Sequence, residues 1–445
     1  MEPKKTYVRP VIRRQFMGAA NKFGRFSIPE PLTSIDGVEV EHLVKDYGSP
    51  LFVFSESVLR RKMNELNQAF QTRYSQFQAA WSYKTNYLNA VCKVFHDEGS
   101  WAEVVSGFEY LKARKNGIPG NKIIFNGPYK KYEILKQAAL DGARIHADHL
   151  DEIQDLVKIS DEIGKTVNLA IRINLDTGMY PTWSRFGFNL ESGHALEAAR
   201  KIAHSNGKLK LTGIHCHIGT FMIDSAPYKR AAKKMADFYK RLKNELRQPM
   251  QYIDLGGGFV SANKLKAQYL SGSSVLPSFD SYAEAITSSL YDSFSPEEPP
   301  PLFLETGRGL VDEAGYLIAS IVGNKTMPNG HRSLVLDAGV NLLYTSTWYD
   351  FKVSPTKHYT GTYEDVTLYG PLCMNIDVVR DSCLLPNLHR GESIVLHPVG
   401  AYNVTQWMQF IEMRPAIVMI TPNREVKLIR RAETVDDINS FEVET

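Results

Sequence analysis

The chain has 445 residues, of which 43% are hydrophobic and 23% charged, a composition typical of a protein with an ample core. A formal net charge of +3 is too small to indicate nucleic acid as a main partner, and no apolar stretch is long enough to span a bilayer. The N-terminus lacks the hydrophobic segment of a signal peptide, so we expect a cytoplasmic protein without a membrane association.

Four cysteines, at positions 92, 216, 373 and 383, show neither a CxxC pair nor the spacing of metal ligands. We therefore expect reduced thiols and no metal site. The first 49 residues are irregular except for a short amphipathic helix that is stopped by Gly48 and Pro50, and a strand at residues 51–54 follows.

A repeating pattern then fills the middle of the chain. Short apolar runs, each ending on a polar residue or glycine, alternate with segments of helical period such as 132–141, 151–163, 193–204 and 228–246. Such units within roughly 250 residues predict a (β/α)8 barrel of the TIM type. An open doubly wound sheet is the alternative, but no GxGxxG opens the first unit. The runs are 79–84, 102–106, 122–126, 144–148, 168–174, 211–219, 252–258 and 302–308.

After residue 322 the sequence pattern changes to strand-like runs separated by turns. This pattern predicts a C-terminal β domain. We expect the N-terminal segment 1–49 to fold back and complete this domain, so that the barrel comprises residues 50–322 and the β domain residues 323–445. The predicted strands of the β domain are 333–337, 366–372, 393–397, 416–420 and 425–428.

Barrel active sites form where the strands end, so the residues at the strand ends are the candidates for function. Lys84 is the first of them. We expect its amine to be desolvated and its pKa lowered, as attack on an aldehyde cofactor requires. A surface lysine is the alternative interpretation. The other strand ends carry Ser106, Asn126, Asp148, Arg172 with Asn174, His217, the glycines 256–258, and Glu305 with Arg308.

An anion site is predicted at the last two strand ends. The backbone amides of Gly256, Gly257 and Gly258 are expected to converge on a phosphate without obstruction by side chains. Arg308, on the next loop, would bind the same group, since barrels often hold phosphate after strands seven and eight. A tight structural turn is the alternative for the three glycines.

Glu305 and His217 are candidates for contacts with an aromatic cofactor ring. A carboxylate beside a pyridine nitrogen keeps that nitrogen protonated and makes the ring an electron sink. An ion pair of Glu305 with Arg308 is equally compatible with the sequence. His217 could lie flat over the ring, although a strand histidine is more often a core residue. We expect His215 to point the other way and to be structural.

Two residues of the β domain complete the candidates. Cys373 follows a tight turn at the end of a strand, where its thiol could face a site, although buried cysteines are usually inert. Tyr402 could bring a phenol to a phosphate, with a packed tyrosine as the ordinary alternative.

From about residue 35 to residue 414 the chain resembles the alanine-racemase-fold decarboxylases (fold type III) that use pyridoxal 5'-phosphate, the family of diaminopimelate and ornithine decarboxylases. The resemblance is carried by Tyr83-Lys84 with Asn86, Ser184-Arg-Phe-Gly187, His215-Cys-His-Ile-Gly219, Asp254-Leu-Gly-Gly-Gly-Phe259, Glu305-Thr-Gly-Arg308, Gly370-Pro-Leu-Cys373 and Gly400-Ala-Tyr402.

The resemblance implies a role for each candidate. Lys84 would hold the cofactor aldehyde, His217 would stack on the ring, and Glu305 would pair with the pyridine nitrogen. Cys373 would come from the other subunit of a head-to-tail homodimer with shared active sites and would protonate the carbanion or line the site. The residues implied around the cofactor also include Glu103, Arg172, Thr220, Gly256, Gly257, Gly258, Gly307, Arg308 and Tyr402.

The chain departs from the family at the positions that select the substrate. Diaminopimelate decarboxylases have an arginine and a proline where this chain has Thr345 and Ser346, and only Tyr349 matches. Where those enzymes place a glutamate, and ornithine-type relatives an aspartate, this chain has Met374. Losing a charged partner from a desolvated pocket costs enough to change the substrate.

We therefore predict α-decarboxylation of a modified or conjugated amino acid of a specialised pathway, rather than of meso-diaminopimelate or ornithine. Arg308, Thr345, Tyr349, Met374 and Tyr402 are the predicted substrate contacts. Glu103 also departs from the usual aspartate, which leaves its contact with Arg172 open. Diaminopimelate decarboxylation itself, amino-acid racemisation and binding of the cofactor without catalysis remain the alternatives.

Overall fold

The computed structural model describes residues 28–266 and 276–443, so residues 1–27 of the predicted N-terminal segment lie outside the described residues. The predicted amphipathic helix is present and ends at Tyr47, before Gly48 and Pro50. The N-terminal elements are β1 (Ser34–Ile35), β2 (Val38–Glu39), α1 (Val40–Tyr47), β3 (Leu51–Ser55) and α2 (Glu56–Gln71).

The predicted barrel is confirmed. Its parallel strands follow one another around the ring, and the ring closes where β12 pairs with β4 and β10 pairs with β8, while the short β9 adds to β8. The strands are β4 (Phe77–Ser82), β5 (Trp101–Val104), β6 (Ile123–Phe125), β7 (Arg144–Ala147), β8 (Val167–Asn174), β9 (Phe188–Asn189), β10 (Leu209–His217), β11 (Tyr252–Gly257) and β12 (Leu302–Thr306).

Helices cover the outside of the barrel, and α2, which precedes β4, packs between α3 and α9. The helix α6, for example, buries one apolar stripe with Ile153, Leu156 and Ile159. Among the described residues, no helix is long and apolar enough to cross a membrane. The helices are α3 (Asn89–Asp97), α4 (Gly107–Lys115), α5 (Tyr132–Leu140), α6 (Leu150–Ile163), α7 (His194–Ala203), α8 (Ala226–Glu245), α9 (Phe279–Phe294) and α10 (Arg308–Val311).

The amino-terminal end of the barrel interior is filled by side chains. Ala80, Ile124, Ala170, Tyr252 and Phe303 form one buried cluster there. Because side chains fill this end, we expect a small molecule to bind at the opposite end, where the strands terminate in polar residues.

The remaining strands form the predicted β domain around a second sheet with the order β17-β16-β14-β13-β3-β19-β20, and β18 pairs with β13 and β15. Its strands are β13 (Gly315–Thr326), β14 (Arg332–Leu336), β15 (Lys352–Pro355), β16 (Tyr363–Tyr369), β17 (Val378–Pro386), β18 (Ser393–His397), β19 (Ile417–Ile420) and β20 (Val426–Arg430), and the last helix is α11 (Val435–Asn439).

The described part of the N-terminal segment, residues 28–49, completes the β domain, as predicted. Val40 and Leu43 of α1 pack in one cluster with Ile318 and Val395. The strand β3 lies between β13 and β19 in the second sheet, not at the head of the barrel where the division at residue 50 placed it. The strand β13 likewise crosses the predicted boundary at residue 322. The division into 1–49, 50–322 and 323–445 itself stays a prediction.

Candidate active site

Polar residues from opposite sides of the barrel meet at the carboxyl ends of its strands. The side-chain amide of Asn126 donates to Glu103, at 3.2 Å, and to both carboxylate oxygens of Glu305, at 2.8 and 2.9 Å. The Nε2 atom of His215 lies 3.1 Å from Glu305 Oε2. We call Glu103, Asn126, His215 and Glu305 the floor network, because they lie beneath the turn that carries Lys84.

Lys84 follows β4 in a short 3₁₀ turn, and its ammonium group forms an ion pair with Glu103. Burial lowers the pKa of Lys84, but the charges of Glu103 and Glu305 outweigh burial, so the pKa lies above its ordinary value. The prediction of a lowered pKa is therefore wrong for this state of the protein. A barrel strand end desolvates the amine as expected, but it also brings two carboxylates to it.

A loop of the β domain holds the backbone of the Lys84 turn. The hydroxyl of Thr405 donates to the carbonyl oxygen of Lys84 at 2.9 Å, and the amide of Tyr402 donates to the carbonyl oxygen of Thr85 at 2.8 Å. Tyr402 adopts a left-handed φ of 65°, which is uncommon outside glycine and asparagine. The position of Lys84 therefore depends on the β domain as well as on its own strand.

The structure corrects the prediction for His215. Its ring lies inside the barrel, stacked on His146 with 5.0 Å between ring centroids, and beside Glu305. Residues two apart on a strand share a face, so His215 and His217 point to the same side. Among the described residues, His146, His215 and Glu305 are the one group of metal-ligand types that lie close together, and Asn126 already donates to both oxygens of Glu305.

His217 presents a neutral, flat ring at the end of β10. Burial, aided by the positive charges of Arg172 and Lys84, holds the pKa of His217 well below its ordinary value. Trp183 packs edge-on against the imidazole at 5.3 Å between centroids. A Cβ atom at Gly256 would come within 2.1 Å of His217 Nδ1, so only glycine lets this ring lie against β11.

Arg308 is a buried cation with free hydrogen-bond donors. Its Nη2 atom donates to the hydroxyl of Thr220 at 3.1 Å, while Nε and Nη1 have no hydrogen-bond partner among the described residues, although the residue is only 6% exposed. The rings of Phe221, Tyr349 and Tyr402 surround the guanidinium at 4.9 to 5.7 Å. Buried donors without partners are costly, so this arrangement fits an anion.

The glycine run brings two chain segments close together, and its predicted contact with a phosphate stays a prediction. Gly256 and Gly257 are the last residues of β11, and the amide of Gly258 donates to the hydroxyl of Tyr228 at 2.8 Å rather than standing free. A Cβ atom at Gly258 would lie 1.9 Å from the carbonyl oxygen of Gly219. The run is required for this close approach of β10 and β11, and in the structure the Gly258 amide is not a free phosphate ligand.

Glu103 and Arg172 have separate partners. Glu103 is fully buried between Lys84 and Asn126. The guanidinium of Arg172 lies 3.8 Å from the carboxylate of Asp148. The contact of Glu103 with Arg172 that the sequence left open is therefore replaced by an ion pair with the lysine, which the longer side chain of glutamate reaches.

The predicted substrate contact Thr345 is enclosed by protein. Thr345 is fully buried, and its hydroxyl donates to the side chain of Asn403 at 2.9 Å. Asn403 in turn donates to the carbonyl oxygen of Val399 at 3.0 Å. The hydroxyl proton of Thr345 is therefore donated to Asn403 in the single chain, and its role as a substrate contact stays a prediction.

Cys373 lies on the surface of the single chain, on the loop between β16 and β17, and Met374 beside it is partly buried. One buried carboxylate holds this loop. Asp377 accepts the amides of Val340 and Leu372, both at 2.8 Å. The thiol of Cys373 is therefore exposed, on a turn that is held by the hydrogen bonds to Asp377.

Replacing Asp377 with alanine should loosen the loop that carries Cys373. Each buried amide left without an acceptor costs about 1–3 kcal/mol, so amide hydrogen exchange of residues 370–377 should accelerate. Asp381→Ala is the matched control, because that carboxylate is largely exposed and pairs with Lys266. Equal exchange in the two variants would contradict the bracing role.

Comparison with known proteins explains this set of residues. Residues 57–312 match the sequence model of the family described as pyridoxal-dependent decarboxylase, pyridoxal binding domain. The chain belongs to the pyridoxal-dependent decarboxylases. The resemblance of its motifs to this family is thereby confirmed, and the decarboxylase uses pyridoxal 5'-phosphate to act on an amino acid.

The similarity extends over nearly the whole chain. A diaminopimelate decarboxylase of Methanocaldococcus jannaschii is 30% identical over 429 residues, which cover 91% of this decarboxylase and 93% of the relative. One of Archaeoglobus fulgidus is 28% identical over 432 residues, covering 93% and 97%. The crystal structure of the M. jannaschii enzyme in complex with L-lysine aligns with a TM-score of 0.84 at 27% identity, covering 97% of this decarboxylase and 99% of that chain.

Proposed function

We propose that this decarboxylase removes the α-carboxylate of a modified or conjugated amino acid, and that neither meso-diaminopimelate nor ornithine is its best substrate. The observation that carries the proposal is the enclosure of Thr345 by Asn403. A neutral, internally hydrogen-bonded pair stands where the resemblance to diaminopimelate decarboxylases implies an arginine for a distal carboxylate. Met374 supplies no charge for a distal amine, so a compact charged end would lose its partners at both positions.

The residues around Lys84 fit the cofactor. Lys84 would hold its aldehyde carbon, the neutral ring of His217 would lie flat against its ring, and Glu305 would accept a hydrogen bond from the ring nitrogen. Bound pyridoxal phosphate supplies an electron sink at the substrate's α-carbon. A buried carboxylate already oriented by Asn126 is suited to keep that nitrogen protonated.

The phosphate is proposed to bind beside Arg308. The guanidinium Nε and Nη1 atoms there have no hydrogen-bond partner among the described residues, and the hydroxyl of Thr220 and the ring of Tyr402 lie beside the same cation. Gly307 precedes Arg308, and a Cβ atom at this glycine would meet Thr85 Oγ1 at 2.0 Å, so the glycine keeps the turn close to the lysine. These contacts support Arg308, Thr220, Gly307 and Tyr402 as cofactor ligands.

The proton that replaces carbon dioxide is proposed to come from Cys373 of the partner subunit. The thiol is exposed on a braced loop, as a group that acts in a neighbouring chain must be. Glu103 would take the proton of the Lys84 ammonium, since the two form an ion pair. This arrangement requires a head-to-tail homodimer in which each site draws on both chains.

Diaminopimelate decarboxylation is the second candidate, favoured by the 30% identity and 93% coverage of the M. jannaschii enzyme of that name. A screen of amino acids for carbon dioxide release separates the two candidates. It should include meso-diaminopimelate, ornithine, lysine, neutral long-chain amino acids and side-chain acylated ones, with Lys84→Ala as the blank. A best kcat/KM for meso-diaminopimelate would overturn the specificity proposal, and racemisation without carbon dioxide would overturn decarboxylation itself.

Met374→Glu should raise activity toward substrates with a distal amine. A charged hydrogen bond is worth about 1.5–3 kcal/mol, so kcat/KM for ornithine or diaminopimelate should rise roughly tenfold or more. Asn375→Glu adds the same charge at the exposed neighbouring position and serves as the control. Equal gains in both variants would mean that Met374 does not face the substrate.

A further inference from the structure

We propose that Asp254 is a carboxylic acid whose proton is shared with Glu305, and that this pair presents a single negative charge to the ring nitrogen of the cofactor. Asp254 then acts as a positioning residue, since it would work through Glu305 rather than touch the cofactor. The second half of the proposal rests on the proposed role of Glu305.

The position of Asp254 leaves it without ordinary donors. It lies in the middle of β11, paired in register with His215 of β10 and Phe303 of β12, and it is fully buried. Neither of its oxygens accepts a hydrogen bond from a described residue. An ionised carboxylate left in this way costs several kcal/mol. A proton on Asp254 removes the negative charge of this carboxylate. The protonated oxygen can then donate a hydrogen bond to Glu305.

The nearby histidine is not that donor. His146 Nε2 lies 3.8 Å from Asp254 and 3.2 Å from the hydroxyl of Tyr252, and His146 Nδ1 lies 3.9 Å from Glu305. Only the contact with Tyr252 is a hydrogen bond. Burial also holds the pKa of His146 and that of His215 well below their ordinary values, so neither ring brings a positive charge.

The charges that surround Asp254 agree with its protonation. Burial and the charges of Glu305 and Glu103 raise the pKa of Asp254 well above its ordinary value, and the charge of Arg144 opposes them. With Asp254 protonated, the ammonium of Lys84 offsets Glu103. One negative charge then remains, on Glu305. The titratable groups that face this space are Lys84 of the β4 turn, Glu103 of β5, Arg144 and His146 of β7, His215 of β10, Tyr252 of β11 and Glu305 of β12.

Infrared spectroscopy of the purified holoenzyme at neutral pH tests the shared proton. The wild-type protein should show the carbonyl stretch of a buried carboxylic acid, and Asp254→Asn should lack it. Asp377→Asn is the control, because Asp377 accepts two backbone amides and should not contribute to the band. A spectrum of Asp254→Asn that retains the full band would overturn the proposal.

Cofactor affinity, measured by fluorescence titration of the apoprotein, tests the consequence for Glu305. An asparagine can donate as the protonated acid does, so Asp254→Asn should bind pyridoxal phosphate within about threefold of wild type. Asp254→Leu, of similar size but without a donor, should bind about tenfold more weakly. Equal affinities in Asn and Leu variants would overturn the positioning role.

A third variant separates this inference from the proposed function. Glu305→Gln should weaken cofactor binding and shift the pH dependence of the cofactor's absorption. Unchanged behaviour of Glu305→Gln would remove Glu305 from the cofactor site and overturn the second half of the proposal. The loss of the acid band in Asp254→Asn would still support the shared proton.

Discussion

Lys84→Ala is expected to abolish decarboxylation and to remove the visible absorption of the lysine-bound cofactor. The side chain is the proposed covalent anchor, and no other described lysine pairs with the floor network. Activity should fall by more than about 10⁴-fold, the upper end of the effect of a proton-transfer group alone. Absorption spectra and carbon dioxide release measure the two losses.

Lys93→Ala is the matched control, because Lys93 lies on the neighbouring helix α3 with its side chain 73% exposed and pairs only with Asp97 among the described residues. It should retain the activity and the spectrum. A Lys84→Ala protein with normal absorption would exclude Lys84 as the anchor and would favour a homologue in which the cofactor binds without catalysis.

Mixing two inactive variants should restore activity if the sites are shared. Cys373→Ala should lower kcat by about 10²–10⁴-fold as a lost proton donor, and Lys84→Ala should be inactive. In a mixed population, half of the dimers combine one chain of each kind. Each of these has one site with both Lys84 and Cys373 intact, so total activity should reach about a quarter of the wild-type value.

The mixing experiment is read from activity after joint refolding of equal amounts, with size-exclusion chromatography to confirm dimers. A mixture that stays as inactive as its components would mean that Lys84 and Cys373 act within one chain.

The barrel could be predicted because each of its strands is a short apolar run that ends on a polar or charged residue or on glycine. The strand β13 escaped prediction, since its twelve residues pass from a buried apolar half into an exposed polar half and give no single period. The membership of β3 in the second sheet was equally invisible, because its five buried residues suit a central strand of either sheet.

The candidate site was predicted in its individual residues but not in its pairings. Lys84, Glu305 and Arg308 could be recognised from their positions at strand ends. The ion pair of Lys84 with Glu103, which reverses the expected direction of the pKa shift, depends on a contact between neighbouring strands that no local pattern encodes. Asn403, which encloses Thr345, lies 58 residues away along the chain and carried no signal of its own.

Two hydrogen bonds join the Lys84 turn to the loop 402–405 of the β domain. The barrel alone therefore does not fix the position of Lys84. The hydrogen bonds from Thr405 and Tyr402 hold the carbonyl oxygens of Lys84 and Thr85 from outside the barrel. A barrel without the β domain would keep every strand-end residue. It would lose the two hydrogen bonds that fix the backbone of Lys84 and Thr85. A transplant of the strand-end residues into another barrel would therefore also need the loop 402–405, because that loop holds the backbone of the Lys84 turn from the β domain.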